Sequence, residues 1–197
     1  GAIYAYLSNL AIAGTTITAC STSENGGAIA IFGHCGAAGG TVAITRSTLT
    51  MTGTSISNNT AANGGGIMAC LAHVTMNGCE IFGNAALSPV SATLGGGAAL
   101  ITGSATDTSL SNRCRIANNA SLTNSGGLGF LSIGSAFISR SLISGNTTGR
   151  SGGGIYCMEA SPSMVNCILS GNMAVGFGGA VFGQINSAPT VVNCTAS

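Results

Sequence analysis

Cys114-Arg115-Ile116-Ala117-Asn118-Asn119 returns as Ser141-Leu142-Ile143-Ser144-Gly145-Asn146 and again as Cys167-Ile168-Leu169-Ser170-Gly171-Asn172. The same phrase, read outward, places an asparagine five residues after Cys20, Thr54 and Cys79 as well, so that Asn25, Asn59, Asn84, Asn119, Asn146 and Asn172 share one position. Each is followed by a glycine doublet or triplet, from Gly26-Gly27 to Gly178-Gly179. The asparagine steps are 34, 25, 35, 27 and 26 residues, the period of a stacked repeat.

The columns of the phrase read as strands. Three residues before the asparagine stand Thr22, Ile56, Ile81, Ile116, Ile143 and Leu169; five before it stand Cys20, Thr54, Cys79, Cys114, Ser141 and Cys167, with Cys194 as a seventh. Between them lie mostly polar residues such as Ser55, Glu80 and Arg115, giving the period-two alternation of a strand with one buried face. A second strand follows each glycine run (Ala28 to Ile31, Ile67 to Ala69, Ile155 to Cys157), and a third, weaker one precedes the cysteine column (Val42 to Ile44, Val74 to Met76, Ala136 to Ile138, Val191-Val192). Short strands without helical periodicity between them exclude βαβ units. They predict an all-β fold, a single-stranded parallel β-helix of about seven turns, with each strand paired to its equivalent one turn on. Residues 1–197 form one segment of it, and both ends cut through a turn, so the expectation is a window on a longer array whose uncapped ends meet adjoining turns or further copies.

Stacking gives the columns a chemistry. Equivalent residues lie about 4.8 Å apart, close enough for inward asparagine amides to form a ladder through Asn25, Asn59, Asn84, Asn119, Asn146 and Asn172. Two insertions lengthen the turns, one around Gly33 to Gly40 and the Thr-rich run after it, the other split between Leu87–Leu94 and Gly103–Thr108. Cys79 above Cys114 and Cys167 above Cys194 are candidate disulfides, because the inter-turn spacing falls inside the Cα window for a bridge; as reduced side chains they would fill a narrow core. Cys20, opposite Thr54, is left free or paired with Cys35. Of four N-x-Ser/Thr sequons, Asn119 and Asn146 fall on the ladder, leaving Asn58 and Asn193 as candidate glycosylation sites in a eukaryotic secretory setting.

Composition narrows the function. Only 5% of the 197 residues are charged, with five Arg, no Lys and four acids, for a net charge of +1. No basic stripe is available for nucleic acid, and Gly, Ser, Thr and Asn interrupt every window long enough to span a membrane as a helix. The cysteines lack the paired C-x-x-C spacing of a zinc site, and no cofactor or metal is expected. Glu24, Glu80, Asp107 and Glu159 occupy four different phases, so no catalytic pair is expected; Glu80 and Arg115 read as an exposed ion pair. Arg113 and Arg140 share a column. His34 and His73 lie near Cys35 and Cys70 without the spacing of a catalytic dyad.

Gly26-Gly27-Ala28-Ile29 and Phe82-Gly83-Asn84-Ala85 resemble the GGAI and FxxN motifs of chlamydial polymorphic membrane proteins. Gly153-Gly154-Ile155-Tyr156-Cys157, Val165-Asn166-Cys167 and Ser170-Gly171-Asn172 are similar to the wider class of right-handed parallel β-helix repeats with pectin-lyase-like architecture. The resemblance, with the general hand of parallel crossovers, implies right-handed winding. That architecture carries lyases, hydrolases, adhesins and inert spacers alike. Low acid content and absent lysine make a non-catalytic extracellular or cell-surface rod, adhesin passenger or filament subunit the leading expectation, with glycans or other surface proteins as its partners. Two alternatives stand beside it. One is a polysaccharide lyase or hydrolase with catalytic residues outside this window; the other is ice or crystalline-glycan binding through Thr48, Thr50, Thr52 and Thr54, an array expected to be one turn deep, with Ala72, Val74 and Met76 beneath.

Overall fold

In the computed structural model, which describes residues 1–38, 41–88, 95–103 and 108–197, the chain winds as a parallel β-helix of seven turns. Strands from successive turns pair in parallel into four sheets, three of seven strands and one of five. The third turn shows the plan: Ile67–Cys70 lies in the first sheet, Ala72–Asn77 in the second, Glu80–Phe82 in the third and Ala85–Ala86 in the fourth. Its register is Ile67 to Ala99, Thr75 to Leu110, Ile81 to Ile116 and Ala85 to Ala120 of the next turn.

The alternation read from the sequence is the packing. Ile17, Ile56, Ile81, Ile116, Ile143 and Leu169 form one inward row of the third sheet, all 8% exposed or less. Ile29, Ile67, Ala99, Leu128 and Ile155 face them from the first sheet, and Met51, Met76, Ile138 and Met164 from the second. Each fully buried Ile or Leu contributes roughly 1.5–3 kcal/mol, so a long stack of thin rows does the work of a globular core.

Four corners per turn join the strands, and most of them use a residue in the left-handed region. Between the second and third sheets that residue is Gly14, Gly53, Gly78, Arg113, Arg140, Asn166 or Asn193; before the fourth sheet it is Ala19, Asn58, Gly83, Asn118, Gly145 or Gly171. A non-glycine residue held there costs roughly 1–2 kcal/mol. The hydrogen bonds to the turns on either side hold it, for example Arg113 N–H to Ser139 O and Arg140 N–H to Val165 O. Arg113 and Arg140 are therefore corner residues in one column.

Three expectations are corrected here. Asn25 is not in register with Asn59. Cys20 is, its N–H bonding Asn59 Oδ1 at 2.9 Å, while Asn25 pairs with Asn63. Asn119, Asn146 and Asn172 stand six residues before the left-handed residue of the glycine corner (Ser125, Gly152, Gly178), and six before Gly26 is Cys20. The ladder position of the first turn thus lies five residues before Asn25, where a cysteine fills the place of the asparagine. Second, Val42-Ala43-Ile44 is not a strand of the coil. His34–Ala38 and Thr41–Thr45 form an antiparallel hairpin, and the coil resumes with Ser47–Thr52. Third, Thr48, Thr50 and Thr52 lie beside His73, Thr75 and Asn77, one residue away from the expected register; a one-residue slip exchanges the faces of a strand, and Ala72, Val74 and Met76 face inward instead of lying beneath the threonines. The threonine face continues into the next turn through Thr75. Of the second insertion, residues 89–94 and 104–107 lie outside the described residues.

Candidate functional site

Behind the third corner the asparagine side chains make a continuous chain of hydrogen bonds. Asn59 Nδ2 donates to Asn84 Oδ1, Asn84 to Asn119, Asn119 to Asn146 and Asn146 to Asn172, each at 2.9 or 3.0 Å. Every Oδ1 also accepts the backbone N–H of the preceding asparagine, at 3.0 or 3.1 Å. The second amide hydrogen goes to a third-sheet carbonyl one turn back: Asn119 Nδ2 to Ile81 O and Asn146 Nδ2 to Ile116 O, both 3.0 Å. Asn119 and Asn146, 0% exposed, thus have both donors and both acceptor lone pairs engaged, the condition under which a buried amide stabilises. Asn25 belongs to a second, shorter stack before the glycine corner, where Asn63 Nδ2 donates to its Oδ1 at 3.0 Å. That row meets Gly95 in the next turn, which offers no side chain, and Asn63 Oδ1 is left without a partner.

The cysteine column follows the same logic of backbone satisfaction. Each sulfhydryl turns back to the carbonyl two residues earlier: Cys79 to Asn77 O, Cys114 to Asn112 O, Cys167 to Val165 O and Cys194 to Val192 O, at 3.2–3.6 Å. Thr54 and Ser141 make the same bond with their hydroxyls, at 3.2 and 2.8 Å. The column selects a short donor, and thiol and hydroxyl serve alike; Thr54 and Ser141 within it were the signal for this in the sequence. The candidate bridges Cys79 to Cys114 and Cys167 to Cys194 are not formed, and all four are free thiols. Stacked side chains leave parallel strands side by side, whereas a bridge needs the two Cβ–S bonds turned toward each other about a dihedral near 90°.

The Cys79 and Cys114 side chains are neighbours in this column, and each shifts the titration of the other. The Cys114 side chain holds the Cys79 thiol below its usual range, while the Cys79 side chain and burial push Cys114 above it. Burial pushes Cys157 up to about 11 and raises Cys167 and Tyr156. A thiol whose folded pKa is raised stabilises the fold at lower pH and loses that contribution as pH rises from the unfolded pKa through the folded one. With no Lys in the chain, thiols and phenols dominate the alkaline limb. Urea unfolding followed by circular dichroism under reducing conditions should therefore show stability falling between about pH 9 and 11. Cys157 alone accounts for about 2–3 kcal/mol of the fall, and Cys157→Ser should remove that share. An equal decline in the variant would contradict this assignment.

The remaining charged and sequon residues are spread over the outside. Glu80 is exposed on the third sheet beside Arg115, yet the contact Arg115 makes is with the Phe82 ring, 6.0 Å from guanidinium carbon to centroid, in place of the expected ion pair. Glu159 sits at the first corner, accepting the Ser132 hydroxyl at 2.6 Å, and Glu24 lines a groove of about 400 Å³ with Tyr4 and Phe32. Asp107 lies outside the described residues, as does the Cys35 side chain. His34 meets the Tyr6 hydroxyl at 2.7 Å; His73 is on the second sheet and Cys70 on the first, with Leu71 as the corner between them. Asn58 and Asn193 are exposed corner residues.

Residues 140–158 match the Chlamydia polymorphic membrane protein (Chlamydia_PMP) repeat. The matched stretch is most of one turn: the corner at Arg140, the column residue Ser141, the strand Leu142–Ser144, the ladder residue Asn146, the glycine corner and the strand Ile155–Met158. It omits the second sheet, the part of the turn where the hairpin is inserted. With its four parallel sheets, the chain is a β-helix, and one of its turns is similar to the polymorphic membrane protein repeat. No curated protein and no solved structure matches it.

One groove on the outside differs from the rest in composition. Tyr156 and Phe182 stack at 5.9 Å between centroids, Phe182 and Phe177 stack at 5.9 Å, and with Arg150, Asn124 and Gln184 they line a space of about 600 Å³. The Tyr156 hydroxyl donates to Gln184 Oε1 at 2.9 Å. Sequence reading missed this groove, because its residues come from three turns and share no motif.

Proposed function

We propose that the chain is a segment of a non-catalytic extracellular β-helix, a surface rod, adhesin passenger or filament subunit that carries its outer faces in fixed order away from an attachment point. The reading rests on the unbroken register. Rows of Ile, Asn and donor side chains pass through successive turns, and the hairpin leaves the coil without displacing them. Such a stack transmits length and order, and its side faces are free to vary. The description of the matched repeat as that of a membrane protein of Chlamydia supports a place at the cell surface, and kinship with the wider pectin-lyase-like architecture belongs to the same proposal. Further copies or adjoining turns at the ends, and glycans or surface proteins along the sides, are its partners. In a eukaryotic secretory setting the exposed sequons at Asn58 and Asn193 are its sugar acceptors.

Negative-stain images of the full-length product should show rods, and protease added outside intact cells should cleave it. Incubation of the purified chain with polygalacturonate, with and without Ca²⁺, should release no oligosaccharide. Release of products in that assay would replace the rod by an enzyme.

A further inference from the structure

Arginine occupies the left-handed corner between the second and third sheets in two adjacent inner turns, at Arg113 and Arg140, with φ of 51° and 48°. The other turns fill that place with Gly14, Gly53, Gly78, Asn166 and Asn193, the residue types that adopt this conformation most readily. The two arginines gain nothing locally for the strain. Among the described residues neither guanidinium has a hydrogen bond or an ion pair, and both side chains are exposed. Backbone strain that serves no local contact points to a use outside the fold. Arg115, exposed on the third sheet two residues beyond Arg113, brings a third guanidinium, so three of the five arginines stand within two turns of one edge. Glu80, beside Arg115, is the carboxylate that faces them; Glu24 and Glu159 belong to other corners.

The residues just before this corner form an outward row of neutral hydrogen-bonding groups. Asn112 Nδ2 donates to Asn77 Oδ1 at 3.0 Å, the Ser139 hydroxyl donates to Asn112 Oδ1 at 2.9 Å, and Thr52 lies beside Asn77 in the turn before. Both hydrogens of Asn77 Nδ2 and one of Asn112 Nδ2 remain to donate. At Gly53 and Gly78 the corner beside the row carries no side chain, and a Cβ there would meet nothing within 4 Å. The row is thus open over three steps of the stack, about 14 Å, and ends at the guanidiniums. We infer that this edge binds a sulfated glycan lying along the axis of the coil, with sugar hydroxyls on Thr52, Asn77 and Asn112 and sulfates on Arg113, Arg115 and Arg140. Charge complementarity selects the sulfates, because the guanidiniums outnumber the Glu80 carboxylate and their planar forks bond oxyanions in pairs. The neutral row suits sugar hydroxyls. One ring stands beside it, Phe137 at 43% exposure, whereas a single strand of nucleic acid stacks its bases on a succession of rings. The inference names a glycan class for the sides of the rod and rests on that reading, but the rod is tested by its images and this site by binding in solution.

Titration calorimetry of the whole chain with a heparin hexasaccharide at low ionic strength tests the assignment. One site per chain is expected. Arg113→Asn combined with Arg140→Asn should weaken binding about tenfold or more; asparagine already serves this corner at Asn166 and Asn193, so the circular dichroism melt should match the parent. Glu80→Gln should strengthen binding about twofold by removing the facing carboxylate. Arg150→Gln removes the same kind of charge from another edge and should leave binding unchanged. An oligogalacturonate of equal length, with fewer charges per sugar, should bind several-fold more weakly. No heat from the hexasaccharide, or as large a loss in Arg150→Gln as in the double variant, would overturn the inference. So would equal binding of the oligogalacturonate or of a single-stranded oligonucleotide of matched charge.

Discussion

Replacement of Gly97 by valine is expected to prevent the stack from closing, with a loss of at least 4 kcal/mol in urea unfolding or no folded protein at all. Gly97 is the second residue of the glycine corner, and Gly27, Gly65, Gly126, Gly153 and Gly179 fill the same place in the other turns. The requirement is one of space. A Cβ on Gly97 would stand 2.2 Å from Gly126 O, 2.5 Å from Ala120 O and 2.7 Å from Ala120 N, all of them backbone atoms. Backbone cannot move aside as a flexible side chain can, because the same atoms carry the hydrogen bonds between turns. The contrast is Gly78, whose conformation is left-handed but whose Cβ would meet nothing within 4 Å. Arg113, Arg140, Asn166 and Asn193 already occupy its column, so Gly78→Asn should cost no more than about 1 kcal/mol. Similar losses at Gly97 and Gly78 would show that backbone approach is not what fixes the corner.

Asn119→Leu carries the second large effect. The substitution keeps roughly the volume and removes the amide, leaving Asn84 N–H without its partner and taking one hydrogen bond each from Asn84 Nδ2, Ile81 O and Asn146 Oδ1. A buried donor left unpaired costs about 1–3 kcal/mol and each of the three further hydrogen bonds lost about 0.5–1.5, so a loss of about 4 kcal/mol is expected in urea unfolding. The matched control is Asn25→Leu. Asn25 is half-buried and accepts one side-chain hydrogen bond, from Asn63, so its loss should stay below about 1.5 kcal/mol. Equal costs at the two positions would put Asn25 back in the ladder and remove the phase correction of the first turn.

The difference between those two asparagines shows where sequence reading worked and where it stopped. In the later turns the spacing from column residue to Ile to Asn is constant, and it is constant because each turn must place one residue inward, one at a left-handed corner and one behind it. The first turn follows the same backbone rule with Cys20 behind the corner, and a reader following asparagine alone slips by five. The strand before the cysteine column carries a weaker signal, Val and Ala among Thr, so its start was misplaced at Val42 and its register against Thr48 by one residue. The cysteines suggested bridges because their spacing along the stack permits them; the direction of the side chains, toward the carbonyl two residues earlier, is a rotamer choice that spacing does not contain.

The sequence by itself determined the winding, since a parallel coil repeats its constraints every turn and so writes them as columns of Ile, Asn, short donors and glycine. The outer faces are under no such repetition. Glu80 and Arg115 fall in one column, yet the column does not say which outward neighbour the guanidinium takes. Only the tertiary structure decided that Arg115 and the Phe82 ring meet. Their proximity comes from hydrogen bonds between turns made elsewhere in the coil, and their own identities did not have to repeat to achieve it.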